Sequence, residues 1–489
     1  MSGHVGAAIE RVEDDRLLHG TGRFIADIRI DEMLEAVIAR SPDAHGVLQS
    51  VNAEEALAIE GVHRVFTASD LPDTARALDE PFYQLANEVV ERHEVTLFPS
   101  IEPVLATGRV RRVGEPIALI VADDRYTAEE ARERIQFEID SMPAVTDPEQ
   151  ALEDSATQID PAVPRNLHGR FHVVVGDPRG EVAKAKQRVS HRFRIGRAAG
   201  SPIENRGVVA NFENGELTVW STTQIPHRLR STLSSMLGLG IDSIRVIAPD
   251  MGGSFGGGIY PEEVLIPWAA MELARPVRWL EERGEELTNS RHSRDQIIDA
   301  ELAFDDEGHF HALIVKVIQD CGAVNPFGIT LPFNLVSHIR SQYAISNFEA
   351  EGLCVLTNKT RNTPVRGAGR PEATFVMERL ADMAARRLGL DPAEIRRRNL
   401  IQPEQMPYDM GMLYRDGNPL IYDSGDFPDQ LETALDRADY RALRKRQGEA
   451  LRGGRRIGIG LACHVEGTGL GPQETVKVLV EEDGGVTVR

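Results

Sequence analysis

Cysteine is nearly absent from this chain. Its 489 residues include 3 cysteines, Cys321, Cys354 and Cys463, each isolated from the others and from any histidine-rich pattern. With no Cys-x-x-Cys anywhere, the sequence offers neither a zinc site nor an iron–sulfur ligand set of its own. An odd and sparse cysteine count also fits a reducing compartment better than a disulfide framework. Positive charge is in short supply too: 55 Lys and Arg stand against 76 Asp and Glu, a net charge of −21. That balance argues against a nucleic-acid surface and against binding to anionic membranes. No apolar run approaches the ~20 residues that span a bilayer. The opening residues, Met1 to Glu10, lack the basic region and apolar stretch of a signal peptide. A soluble, cytoplasmic protein is the expectation.

What remains is an ordinary globular balance, 41% hydrophobic and 27% charged. At roughly 100–200 residues per domain, the length predicts two to four domains, each with a real core. Residues 1–140 read as a small α/β domain. Within it Leu34 to Arg40 reads as a strand, and Ile117 to Ala122 is a near-continuous apolar run typical of a buried one. Thr127-Ala128-Glu129-Glu130 has capping-box spacing for a helix to Arg134, and Ile135 to Ile139 alternates as a half-buried strand. Residues 141–166, with Pro143, Pro148, Pro161 and Pro164 among acids and small residues, read as a linker. A larger α+β region follows over 167–450, whose strongest helix runs from Pro371 to Leu388 with an apolar stripe. Residues 451–489 change character: a strand-like Ile457 to Ala462, a loop from Glu466 to Pro472, a strand from Thr475 to Glu481 and a hairpin turn at Asp483-Gly484-Gly485. The final strand ends so soon after that turn that the architecture is expected to continue elsewhere.

Two glycine-rich turns carry most of the functional signal. One is Met251-Gly252-Gly253-Ser254-Phe255-Gly256-Gly257-Gly258, the other Arg366-Gly367-Ala368-Gly369-Arg370-Pro371-Glu372. Each follows a β-like run and precedes a proline-plus-acid helix start, as in Pro261-Glu262-Glu263. Glycine lets a ligand approach the backbone closely and exposes N–H donors. The repeated strand, loop and helix predict one polar ligand gripped from two sides. Arg366 and Arg370, next to a helix N-terminus, suit an anion; the alternative is that one of them pairs with Glu372 or Glu378. Gly252 to Gly256 also satisfies Gly-x-Ser-x-Gly, so a serine hydrolase with Ser254 as nucleophile is a rival reading. It needs a helix directly after Ser254, where Gly256 to Gly258 intervenes. The imidazoles of His309 and His311 share one strand face, a pairing more typical of surface polarity than of a metal site.

Taken together, Thr223-Gln224, the Met251–Gly256 loop and the Arg366–Glu372 loop resemble the large subunit of the molybdenum hydroxylases, the xanthine oxidase and aerobic carbon monoxide dehydrogenase superfamily. The opening segments Arg11 to Leu18 and Arg40 to His45 are similar to that family's start, and Val113-Gly114-Glu115-Pro116 to its hammerhead domain. The resemblance implies an α+β architecture: an α/β hammerhead domain, a molybdopterin-binding domain and the truncated start of a second one. It implies a molybdenum ion carried by a pyranopterin, usually in the cytosine dinucleotide form, with few or no direct bonds from the protein to the metal. Gln224 would hydrogen-bond an oxygen near the metal. The backbone of Gly253, Ser254, Phe255 and Gly256 would line the metal side. Arg366 would be the catalytic charged donor, stabilising negative charge on an oxygen or on substrate. Gly367, Ala368, Gly369 and Arg370 would cradle the pterin and its phosphate.

Three departures sharpen the expectation. The second loop has Ala368 and no thiol, against a copper–molybdenum site; Gly258-Ile259 stands where purine oxidisers carry Lys-Glu. The family's general-base glutamate is expected beyond residue 489, and Glu466 reads as a structural or cofactor-loop residue. The expected function is oxidation of an aldehyde or N-heteroaromatic carbon with water-derived oxygen. Electrons would pass to a small iron–sulfur subunit and an FAD subunit, and a separate polypeptide could supply the C-terminal half. A non-catalytic cofactor-binding or assembly role is the other alternative.

Overall fold

The computed structural model describes residues 6–78, 85–290, 292–467 and 475–488. Its first sheet has seven strands, in the spatial order Ile244–Ile247, Glu216–Ser221, Gly207–Glu213, Val277–Leu280, Leu34–Arg40, Pro116–Ala122 and Val62–Thr67. All 7 residues of Pro116–Ala122 are buried. An apolar run of that kind is stable only if both faces of the sheet are covered. Helix Arg125–Glu133 covers one face through Ala128 and Ala131, while helices Pro226–Leu237 and Glu262–Leu273 contribute to the core on the other.

The sheet does not stop at the end of the N-terminal unit. Leu34–Arg40 pairs in parallel with Val277–Leu280, setting Leu34 opposite Val277 and Ala36 opposite Trp279. The same junction is tied by Arg278, whose Nε donates to Glu35 Oε1 at 2.9 Å. A strand from near the start of the chain thus becomes a neighbour of the strand that follows the first glycine loop and its helix.

The second sheet has six strands, ordered Gln187–Ala199, His292–Phe304, Phe310–Gly322, Asn347–Leu356, Leu167–Val175 and Thr96–Leu97. The 19-residue helix Arg370–Leu388 packs against its core with Ala373, Val376, Met377, Leu380, Ala381 and Ala384, all 0% exposed. This is the apolar stripe of the sequence, and it anchors the helix that begins at the second glycine loop. No helix among the described residues is long and apolar enough to cross a membrane.

Three local expectations change. The helix after Pro116–Ala122 is capped by Asp124, whose carboxylate accepts from Thr127 N at 3.0 Å, so Thr127 is inside the helix and not its cap. The stretch 141–166 is not a loose linker. It forms the helix Pro148–Ala151, and Ile159 and Val163 are 0% exposed in the main core. Asn166 clamps it, with Nδ2 donating to Ala151 O and Thr157 O at 3.0 and 3.1 Å. Ile457 to Ala462 enters no strand; the Ile457 and Leu461 carbonyls accept from the side chains of Gln447 and Arg396 instead of from a neighbouring strand. His309 and His311 both turn to Asp305, at 3.2 and 3.3 Å. The hairpin turn at Asp483 to Gly485 does form, joining Val478–Val480 to Val486–Val488, while most of the Glu466–Pro472 loop lies outside the described residues.

If 141–166 is part of the core, Ile159→Ala should lower the unfolding free energy by about 2–5 kcal/mol, as a buried methylene deletion does. A denaturant titration checks this, and a change near zero would restore the linker reading.

Candidate functional site

The first glycine loop leaves the strand Ile244–Ile247 and ends at the helix Glu262–Leu273. Gly256 is the residue on which its course depends. It has a φ of +114°, and a Cβ there would lie well inside contact distance of the Pro364 carbonyl oxygen. Pro364 precedes the second loop, so the missing side chain lets the two loops touch. They are then joined directly: Arg366 N donates to Phe255 O at 2.7 Å.

Gln224 completes the junction. It follows the strand Glu216–Ser221, and its Oε1 accepts from Gly256 N at 3.0 Å. A backbone N–H can only donate, so the amide oxygen must face the loop, leaving the Nε2 donors for another partner. Three sequence elements singled out separately therefore meet at one place. Of these, Gln224 and the first loop border a cleft lined also by Ser221, Thr223, Ser254 and Tyr260. Ser254 is buried, and the Phe255 ring is 45% exposed beside it.

In the second loop, Gly367, Ala368 and Gly369 all have positive φ. Gly369 packs so closely on the helix Thr330–His338 that a Cβ would lie 2.5 Å from Leu331 O. Ala368 O accepts from Asn334 Nδ2 at 3.1 Å. The two arginines diverge. The Arg366 side chain is exposed and has no ion-pair partner among the described residues. Arg370 turns inward, its Nε to His338 Nε2 and its Nη2 to the Tyr414 hydroxyl, both at 3.1 Å, with Glu466 Oε1 at 3.2 Å from Nε. Glu372 and Glu378, the acids that could have claimed these arginines, pair with Arg294 and Arg396.

The nucleophile-elbow reading of Ser254 fails on geometry. The preceding strand ends at Ile247 and the next helix starts at Glu262, so Ser254 sits in irregular backbone and not on a strand-to-helix turn.

Sequence reading missed the floor of the cleft. Arg206 is buried there, with Nη2 2.6 Å from Glu281 and Nη1 3.1 Å from Glu262. Glu262 also accepts from Arg40 at 3.0 Å. Burial alone would raise the Glu262 pKa, but Arg206 and Arg40 overcome it and hold the carboxyl well below its usual range. Its neighbour Glu263 forms no direct ion pair among the described residues, and Arg206 acts on it only from farther off. Burial pushes its carboxyl up, against bonds from the Ser221 hydroxyl at 2.7 Å and Tyr260 N at 3.0 Å. Glu204 is the other omission: it accepts from Gly252 N at 2.7 Å and steadies the start of the loop. Adjacent Glu-Glu at a helix start was visible, but only the fold shows which of the two meets arginines.

Two outcomes follow from this geometry. Gly256→Ala should destabilise the protein by about 2–4 kcal/mol, through positive-φ strain and collision with Pro364, measured by thermal or denaturant unfolding. His338 supplies the second. Its Nδ1 faces the Asn334 carbonyl at 2.8 Å and so carries the proton, which leaves Nε2 to accept from Arg370. Burial, then the Arg370 charge, pushes its pKa down to about 4. The neutral imidazole is the folded form, so its contribution is full above pH ~6.5 and declines as pH falls toward about 4. Unfolding free energy measured across that window should fall more steeply in the parent chain than in His338→Gln.

Comparison with known proteins gives this geometry its context. Two family models described as molybdopterin cofactor-binding domains match residues 159–400 and 433–489, and one described as the aldehyde oxidase and xanthine dehydrogenase a/b hammerhead domain matches 19–143. The chain is 33% identical to the 6-hydroxypseudooxynicotine dehydrogenase complex subunit gamma of Paenarthrobacter nicotinovorans, over 99% of this chain and 60% of that protein. It is 34% identical to the carbon monoxide dehydrogenase large chain of Hydrogenophaga pseudoflava, over 96% of this chain and 58% of that protein. The crystal structure of quinoline 2-oxidoreductase from Pseudomonas putida 86 superposes with a TM-score of 0.89 at 32% identity, covering 99% of this chain and 62% of that one. The chain thus spans about 60% of the length of the relatives it matches. With hammerhead and cofactor-binding segments in order along nearly its whole length, the chain belongs to the molybdenum hydroxylase large-subunit family.

Proposed function

We propose that this chain holds a molybdenum–molybdopterin cofactor between its two glycine loops. In this reading it is the large-subunit portion of an enzyme that oxidises an aldehyde or N-heteroaromatic carbon with oxygen drawn from water. The observation that carries the reading is the convergence of Gln224, the Phe255–Gly256 backbone and the Arg366 turn through two hydrogen bonds, of 3.0 and 2.7 Å. The residues suit the group: a Cβ-free backbone permits close approach, and an exposed guanidinium offers charge to an anion. When bound, the cofactor supplies two-electron redox chemistry at molybdenum.

The chain's own part is binding and electrostatics. Gln224 Nε2 donates toward an oxygen in the cleft, with its amide orientation fixed by Gly256. Arg366 stabilises negative charge as it grows on an oxygen acceptor, a role worth most where water is scarce. Gly253, Ser254 and Gly256 line one side of the ligand, and Gly367, Ala368 and Gly369 the other. Arg370, engaged by His338, Tyr414 and Glu466, holds the helix start in place and contacts the cofactor's phosphate at most through one edge.

Relatives named for nicotine, pseudooxynicotine and quinoline oxidation favour an N-heteroaromatic substrate. Ala368 brings no thiol to the second loop, which argues against carbon monoxide chemistry of the copper-assisted kind. The cytosine dinucleotide form is the proposed state of the pterin. Small iron–sulfur and FAD subunits are the proposed electron acceptors. A domain boundary near residue 450, and a cytoplasmic location, belong to the same reading.

The test is co-expression with candidate partner subunits in a host that makes the cofactor, followed by metal and pterin analysis. Near-stoichiometric molybdenum and pterin are expected in the parent chain. Gln224→Ala and Arg366→Ala should retain less cofactor, and oxidation of an N-heterocycle should fall about 10- to 1,000-fold in Arg366→Ala, as for loss of one oxyanion donor. A parent chain purified with neither molybdenum nor pterin would overturn the proposal.

A further inference from the structure

Tyr260 lies beneath the first glycine loop and is 5% exposed. Two cations sit over its ring: the guanidinium carbon of Arg206 is 4.0 Å from the ring centroid and that of Arg361 is 4.1 Å away. One face of a phenol has room for one guanidinium at stacking distance, so the two arginines take opposite faces. Each is itself immobilised, Arg206 by Glu281 and Glu262, and Arg361 by Glu102 and the Ile259 carbonyl. The ring is clamped, and the position of its hydroxyl is settled before any ligand arrives.

That hydroxyl has no hydrogen-bond partner among the described residues, although it is buried. It ends against Gly257, where a Cβ would lie 2.7 Å from Oη. Gly257 adjoins Gly256, whose N–H is bonded to Gln224, and Tyr260 lines the same cleft. An unpaired buried hydroxyl is a cost of about 1–3 kcal/mol. Phenylalanine would keep the stacking and avoid that cost. A tyrosine held rigidly in a ligand cleft with its donor unused is arranged for an acceptor supplied from outside.

We propose that Tyr260 is a ligand-contacting residue, its hydroxyl donating a hydrogen bond to an oxygen acceptor of the cofactor bound against Gly256 and Gly257. This rests on the cofactor reading above and adds a contact from beneath the first loop to those from Gln224 and Arg366. No bond is made or broken at the phenol; its part is to fix the cofactor's position.

The experiment compares the full chain with Tyr260→Phe, using isolated molybdenum–molybdopterin as the probe. Unfolding of the ligand-free proteins is measured first. Tyr260→Phe should match or exceed the parent, because no bond within the chain is lost. Binding is then followed by protein-bound pterin fluorescence and by the rise in thermal midpoint on loading. The variant should bind about five- to tenfold more weakly, the equivalent of one hydrogen bond, and show a smaller rise. Equal affinity and equal rise would overturn the inference while leaving the cofactor reading intact. A ligand-free variant clearly less stable than the parent would also overturn it, by showing that the hydroxyl is used within the fold. A parent chain that binds no pterin would remove the cofactor reading and this inference with it.

Discussion

One backbone hydrogen bond organises the site: Arg366 N–H to the Phe255 carbonyl, 2.7 Å long. The two loops it joins come from different sheets. The first descends from a strand of the seven-stranded sheet, the second from the end of Asn347–Leu356 in the six-stranded one. They can meet only because position 256 has no side chain. The large cores behind them therefore act as two rigid walls. A group bound between the loops would be held by both halves of the architecture, and its position would depend on how those halves are set.

The setting is done by buried charge. Arg40 and Arg206 share Glu262, Arg206 also grips Glu281, and Arg361 takes Glu102 from the N-terminal section. Burying such ions is expensive, and apolar replacements of equal size are often no less stable. Their value is directional. A guanidinium accepts partners only along its plane, so each pair fixes the angle between elements that apolar packing would leave free to slide. Here the pairs converge on Tyr260 and on the helix that begins at Glu262. They thereby determine where the first loop ends and what lies under it. The Arg370, His338 and Tyr414 contacts do the same for the start of the second helix.

Local chemistry was legible in the sequence wherever it is decided locally. The apolar run 117–122, the stripe of the helix after the second loop and the glycine turn of the last hairpin appear as read. Capping was less secure, since Asp124 and Thr127 are both competent and the backbone chose the earlier residue. The proline-rich stretch 141–166 looked detached because its anchors, Ile159, Val163 and Asn166, are too sparse to show a period. They matter only because a core lies beside them.

For the candidate site, residue types and spacing along the chain marked out as members the loop from Gly253 to Gly256 and the turn from Arg366 to Arg370, while Gln224 entered through the family resemblance. Glycine clusters and helix-start signals need no tertiary context to be recognised. What lies between those members was decided only by the fold. Arg206, Glu263, Glu204 and Tyr260 are far from one another's motifs or carry no pattern at all. The opposite fates of Arg366 and Arg370 cannot be read from two arginines four positions apart. The physical reason is the same in each case. Burial, ion pairing and stacking belong to neighbours brought together from distant segments, and a sequence lists its residues without listing those neighbours.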